Sequence, residues 1–147
     1  MYVLKTRCLF LIAVSLVLSS CVSNRSNVKV TSAQDLKSAR FFFVIKQNED
    51  ERGINVLIQD RLIERGYKAA TGPRIRNPEK YDVVVTYIDK WAWDITMYMI
   101  ELTITFRDVE SSYPIAVGNS LHGSLTRLSS EEMVKEVLDN IFKEASS

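Results

Sequence analysis

The apolar positions divide the chain into segments of different period. Phe41 to Lys46, Phe-Phe-Phe-Val-Ile-Lys, is an unbroken run of β-formers and predicts a strand buried on both faces. Ile54, Leu57, Ile58 and Leu62 then fall on one stripe of a helix over residues 53–65. Asn48 to Glu51 put negative charge ahead of its N-terminus, and Gly66 stands where helices commonly end. Tyr67 to Lys80 contains Gly72-Pro73 and Asn77-Pro78 and reads as a connecting loop, with room for a short edge strand at its start. Asp82 to Lys90, carrying Val83, Val84, Val85, Tyr87 and Ile88, predicts a central strand.

Trp91 to Asp94 reads as a turn or a bulged corner. Beyond it, Ile95 to Asp108 alternates with period two. Tyr98, Ile100, Leu102, Ile104 and Phe106 share a core-facing side. Met97, Met99, Glu101, Thr103, Thr105 and Arg107 share the other. Glu110 to Ser112 form a hairpin loop, and Tyr113 to Leu121 return, with Gly118 as a bulge or a close-packing point. The last helix opens on Ser129 and Glu132, the spacing of a capping box. Met133, Val134, Val137, Leu138, Ile141 and Phe142 make its apolar face, and Lys143 suits its C-terminal dipole. The order is strand, helix, strand, strand, strand, helix. It predicts an α+β domain: a single mixed, mostly antiparallel sheet of about four to five strands with two helices on one face.

The first twenty residues follow another rule. Lys5 and Arg7 precede an apolar run from Leu9 to Leu18, and Ser19-Ser20 lead into Cys21. A positive start, a short apolar middle and a small-residue end are the parts of a secretory signal, and the run is too short for a spanning helix. Leu18-Ser19-Ser20-Cys21 resembles the bacterial lipobox. That resemblance implies cleavage before Cys21, a diacylglyceryl thioether on its sulfur and an acyl group on its amine. The other reading is an ordinary cleaved signal with a free thiol at Cys21. Val22 stands where enterobacterial lipoproteins retained at the inner membrane carry an aspartate, which favours the periplasmic face of the outer membrane. The expected layout is a signal over 1–20, a lipidated N-terminus and flexible tether over 21–38, and one α+β domain over 39–147. Within the tether, Val28 to Val30 can pair onto a sheet edge.

Composition narrows the chemistry. The chain of 147 residues has two cysteines, Cys8 in the signal and Cys21. The mature domain is then left without a thiol for a disulfide, a metal or a nucleophile. Of 19 Lys+Arg, Lys5 and Arg7 leave with the signal, so 17 face 18 Asp+Glu. Such a near-neutral domain lacks the footprint of a nucleic-acid binder. His122 is the sole histidine, so zinc would need an unusual shell, and no nucleophile motif surrounds it. Asp89, Asp94 and Glu101 are candidates for a carboxylate pair, with surface or cap roles as the plainer reading. Arg74 and Arg76 read as solvated loop residues. No cofactor and no metal are expected.

Two indoles, Trp91 and Trp93, flank Ala92. They read either as a platform for a partner or as a structural pin at a sheet corner. Met97 and Met99 extend the same region as an adaptable contact patch, or lie under a helix. The stretch from Asp82 to Tyr98, with its Trp-x-Trp-Asp corner, resembles a family of uncharacterised bacterial lipoproteins, as do Glu132-Met133-Val134, Leu138-Asp139 and Ile141-Phe142. The resemblance spans roughly residues 41–143 and implies no activity and no catalytic residues. The leading expectation is a non-enzymatic envelope lipoprotein, a binding or assembly module. It is held to the membrane through Cys21 and meets another envelope protein at Trp91, Trp93, Met97 and Met99. The alternatives are a carrier or sensor of a small apolar ligand such as a lipid and, more remotely, a hydrolase. Oligomeric state is open.

Overall fold

The computed structural model describes residues 24–147, so Cys21 and the expected signal lie outside the described residues. Among the described residues the fold is α+β, with a single mixed sheet of six strands and three α-helices. In chain order the elements are β1 (Arg25–Val30), α1 (Ala33–Ser38), β2 (Phe41–Ile45), α2 (Ile54–Glu64), β3 (Lys68–Gly72), β4 (Val83–Asp94), β5 (Thr96–Asp108), β6 (Pro114–Leu121) and α3 (Ser130–Ser146). Single 3₁₀ turns stand at Pro78–Lys80 and Ser124–Thr126.

The sheet order is β1-β6-β5-β4-β2-β3. β1, β6, β5 and β4 pair antiparallel, while β2 lies parallel to both β4 and β3. The parallel part follows from the connections. A helix between β2 and β3 returns the chain to the same end of the sheet, whereas the short links after β4 and β5 force antiparallel neighbours.

Two expectations change. The sheet has six strands rather than four or five, and three helices rather than two. Residues 25–38, expected as tether, form the edge strand β1 and the helix α1 and so belong to the folded unit, which was expected from residue 39. α1 is capped by Ser32, buries Leu36, and the following Ala39 is buried too.

One core joins the helices to one face of the sheet. Phe42, Val44, Val85, Leu102, Ile104 and Phe106 meet Ile54, Ile58 and Leu62 of α2 and Met133, Leu138 and Ile141 of α3, all fully buried. Phe42, Tyr67, Phe106 and Phe142 interlock there, with ring centroids 4.9–5.7 Å apart. Burying one aromatic or aliphatic side chain of this size contributes about 1.5–3 kcal/mol. α3 carries the expected capping box: Ser129 Oγ accepts from the Glu132 amide, and Glu132 accepts from the Ser129 amide. Gly118 is the close-packing point, because a Cβ there would stand 2.7 Å from Ile141 and 2.9 Å from Val137.

Candidate functional site

The β4–β5 hairpin is longer than the core it covers. The two strands pair from Val83↔Asp108 to Asp94↔Thr96, and the register slips once, between Lys90 and Trp91. Lys90 opposes Glu101, but Trp91 opposes Met99, so Ile100 is the extra residue of a bulge. A one-residue slip exchanges the faces of everything beyond it. Met97 and Met99 therefore join the side of Leu102 and Ile104, and Tyr98 moves to the open side with Ala92. This corrects the expected alternation. Met99 is buried in the core, 1% exposed, and is no part of a surface patch.

The hairpin is clamped at its base by Trp91 and at its tip by Arg127. Trp91 is half-buried, and its Nε1–H donates to Asp89 Oδ2 at 2.5 Å while the Arg52 guanidinium lies 4.1 Å from its ring centroid. Arg127 stacks 4.5 Å from the ring centroid of Tyr98, donates to Thr96 Oγ1 at 2.8 Å and reaches Asp94 Oδ2 at 3.2 Å. Trp91 thus pins the base of the hairpin and leaves Trp93 to its tip.

Between these two clamps the positions on the side of Trp91 and Met99 are apolar and exposed. Trp93 is 72% exposed, Met97 46% and Ile95 87%. Ile95 makes the reversal alone, at φ +59°. A left-handed conformation costs a β-branched residue roughly 1–2 kcal/mol. At about 3.4 Å per residue, the four steps from Met99 to Ile95 carry the strand about 14 Å past Met99. Neither Ile95 nor the two clamping arginines stand out in the sequence. Asp94-Ile95-Thr96 has none of the glycine or asparagine chemistry that marks a tight hairpin turn.

The other candidates resolve into structural roles. His122 is 8% exposed, and its Nε2 lies 2.8 Å from Glu136 Oε2. Ser120 Oγ donates to the other oxygen of the same carboxylate at 2.9 Å. Serine and histidine both address the glutamate, whereas nucleophile activation needs the imidazole against the hydroxyl. Asp89, Asp94 and Glu101 do not gather either. Asp89 serves Trp91, Asp94 serves Arg127, and Glu101 takes Lys90 Nζ at 2.6 Å and Asn119 Nδ2 at 2.8 Å. The Lys90 and Asn119 bonds outweigh burial and hold the Glu101 carboxyl below its ordinary range. Among the described residues no group of three His, Cys, Asp or Glu side chains is placed to hold a metal.

Asp50, 8% exposed, is the anchor of the α2 N-terminus. It accepts from the amides of Arg52 at 2.9 Å, Gly53 at 2.7 Å and Asn55 at 3.1 Å and from Tyr87 Oη at 2.6 Å. Burial works to raise its pKa, but those hydrogen bonds prevail and hold it below the usual carboxylate value; burial and Asp50 together push the Tyr87 phenol well up. Arg74 and Arg76, expected as solvated, are exposed and line a shallow hollow of about 400 Å³ beside Phe43 and Tyr81.

No protein-family model matches the chain, and no curated protein does. Solved structures of PelC share the fold. A point variant of the PelC dodecamer from Paraburkholderia phytofirmans aligns at a TM-score of 0.56 and 12% identity, over 81% of this chain and 97% of that one. The PelC dodecamer from the same organism in another crystal form aligns at a TM-score of 0.51 and 9% identity, over 84% and 94%. A PDZ domain protein from Parabacteroides distasonis ATCC 8503 aligns at a TM-score of 0.48 and 11% identity, over 82% of this chain and 36% of that one. At these identities the PelC structures are similar to this chain in fold alone.

Proposed function

We propose that the chain is an envelope lipoprotein held at a membrane by lipid on Cys21, and that its domain is a non-enzymatic binding or assembly module whose contact surface is the β4–β5 tip. The observation that carries this is the tip itself. Ile95 costs the fold twice, by its backbone conformation and by standing in water, and Trp93 and Met97 add apolar surface beside it. Strain and exposed apolar area that do nothing for the core point to a contact made elsewhere. The residues that could have argued for chemistry are occupied instead in clamps, caps and cross-strand pairs. The lipobox at Leu18 to Cys21 and the resemblance to uncharacterised bacterial lipoproteins supply the envelope half of the reading.

The alternative, a carrier of an apolar ligand, finds less support. The hollow between α2 and α3, about 330 Å³, is lined by Leu57 and Val134 together with six charged residues, among them Asp60, Glu131 and Lys135, a poor lining for a lipid tail. PelC of P. phytofirmans is a dodecamer, so contact between copies of this chain is one outcome that the experiments must register.

The anchor is tested by fractionating cells that express the chain or its Cys21→Ala variant with labelled fatty acid. The chain is expected in the membrane fraction with label, and the variant without label. Label that survives in Cys21→Ala overturns the anchor.

A further inference from the structure

The strand register sets the direction of the domain. β1 runs antiparallel to β6, with Arg25 opposite Leu121, and Leu121 in turn lies opposite Glu101, which pairs with Lys90. The chain therefore enters the sheet at the end from which the β4–β5 tip projects. Asn24 repeats the placement at side-chain level, since its Oδ1 accepts from Thr126 Oγ1, one residue from the Arg127 that clamps the tip. Two residues, Val22 and Ser23, separate Cys21 from Asn24, so over three Cα steps lipid on Cys21 starts within roughly 11 Å of this end, whatever path they take.

The most exposed apolar side chains stand at the same end. Ile95 at 87%, Leu125 at 85% and Trp93 at 72% are the three most exposed large apolar side chains among the described residues, and Met97 stands beside them. Leu125 neighbours Thr126, the partner of Asn24. At the far end of the sheet the most exposed such residue is Tyr113, 67% exposed.

We infer that the occupant of this surface is the lipid bilayer in which Cys21 is anchored: Trp93, Ile95, Met97 and Leu125 dip into its interface as a second attachment point. Indole is favoured at the boundary between headgroups and acyl chains, where its apolar body and N–H are both served. The lipid on Cys21 brings the tip to that boundary at high effective concentration, so a small apolar contact suffices to fix the domain's orientation. The inference rests on the anchor reading and narrows it, by naming what the tip touches.

The test uses the acylated full chain in phosphatidylcholine vesicles with bromine on the acyl chains. The chain has two tryptophans, so Trp91→Phe leaves Trp93 as sole reporter and Trp93→Phe leaves Trp91. Bromolipid is expected to quench Trp93 emission about two-fold or more, with a shift to shorter wavelength, and to leave Trp91 nearly unquenched. Ile95→Asp with Leu125→Asp is expected to abolish the quenching of Trp93 while the chain stays in the vesicles. Trp93 that remains unquenched in a chain whose Cys21 acylation is verified by mass overturns this inference alone. An unmodified Cys21 overturns the anchor reading and this inference with it.

Discussion

Gly118 shows how one residue position can limit the packing of a whole face. Its missing side chain lets Ile141 and Val137 of α3 sit directly on β6. Gly118→Ala inserts a Cβ at 2.7 Å from a side chain that is itself 0% exposed, so either helix or strand must move. Overpacking of this kind costs about 1–3 kcal/mol. A urea titration is expected to show the midpoint falling with the slope unchanged; an unaltered midpoint would mean that α3 rides free of the sheet. The position was legible in the sequence as a glycine in a strand, and so was the capping box of Ser129 and Glu132. Met99 was not. Its alternation with Glu101 and Thr103 runs smoothly through the chain, and the extra residue of a bulge leaves no mark on a period-two pattern.

Among the elements, the buried ones were readable and the edge was not. β2, β4 and β5 carry unbroken or alternating apolar positions because both faces, or one full face, lie against the core. β1, Arg-Ser-Asn-Val-Lys-Val, is an edge strand with most of its length exposed, so it has the composition of a linker. α1 is under two turns with Leu36 as its buried contact, too little for a periodicity to register. Trp91 to Asp94, expected as a turn or a bulged corner, is instead the paired end of β4 just past a bulge, and the reversal falls at Ile95, which the sequence did not mark. That reversal gives an element-scale prediction. Asn is tolerated at positive φ far better than a β-branched residue. Ile95→Asn should therefore raise the stability of the domain by about 1 kcal/mol, seen as a higher denaturation midpoint, while weakening whatever the tip contacts. A lower midpoint would show that Ile95 supports the fold and is not held at its expense.

At the scale of the whole molecule, several carboxylates share one electrostatic fate. Asp50, Glu101, Asp108 and Asp139 are all held below their ordinary values of 3.8 and 4.5 by hydrogen bonds or neighbouring cations, although burial opposes the shift. A carboxyl whose folded value is lowered stabilises the fold above the unfolded value and loses that contribution as pH falls through the folded one. The domain is thus expected to keep its stability from neutrality down to about pH 4 and to lose it steeply below. Asp50→Asn should flatten that acid limb, which thermal melts between about pH 6 and about pH 3 would record; identical limbs would remove Asp50 from the account. The chain also enters the sheet at the end that carries the β4–β5 tip.

The claim that this tip is the working surface is tested most directly by a photo-crosslinking residue placed at position 93 in living cells, with position 113 at the opposite end as its counterpart. Position 93 is expected to give specific adducts with an envelope component and position 113 none. Equal labelling from both positions, or no adduct from 93, would contradict it.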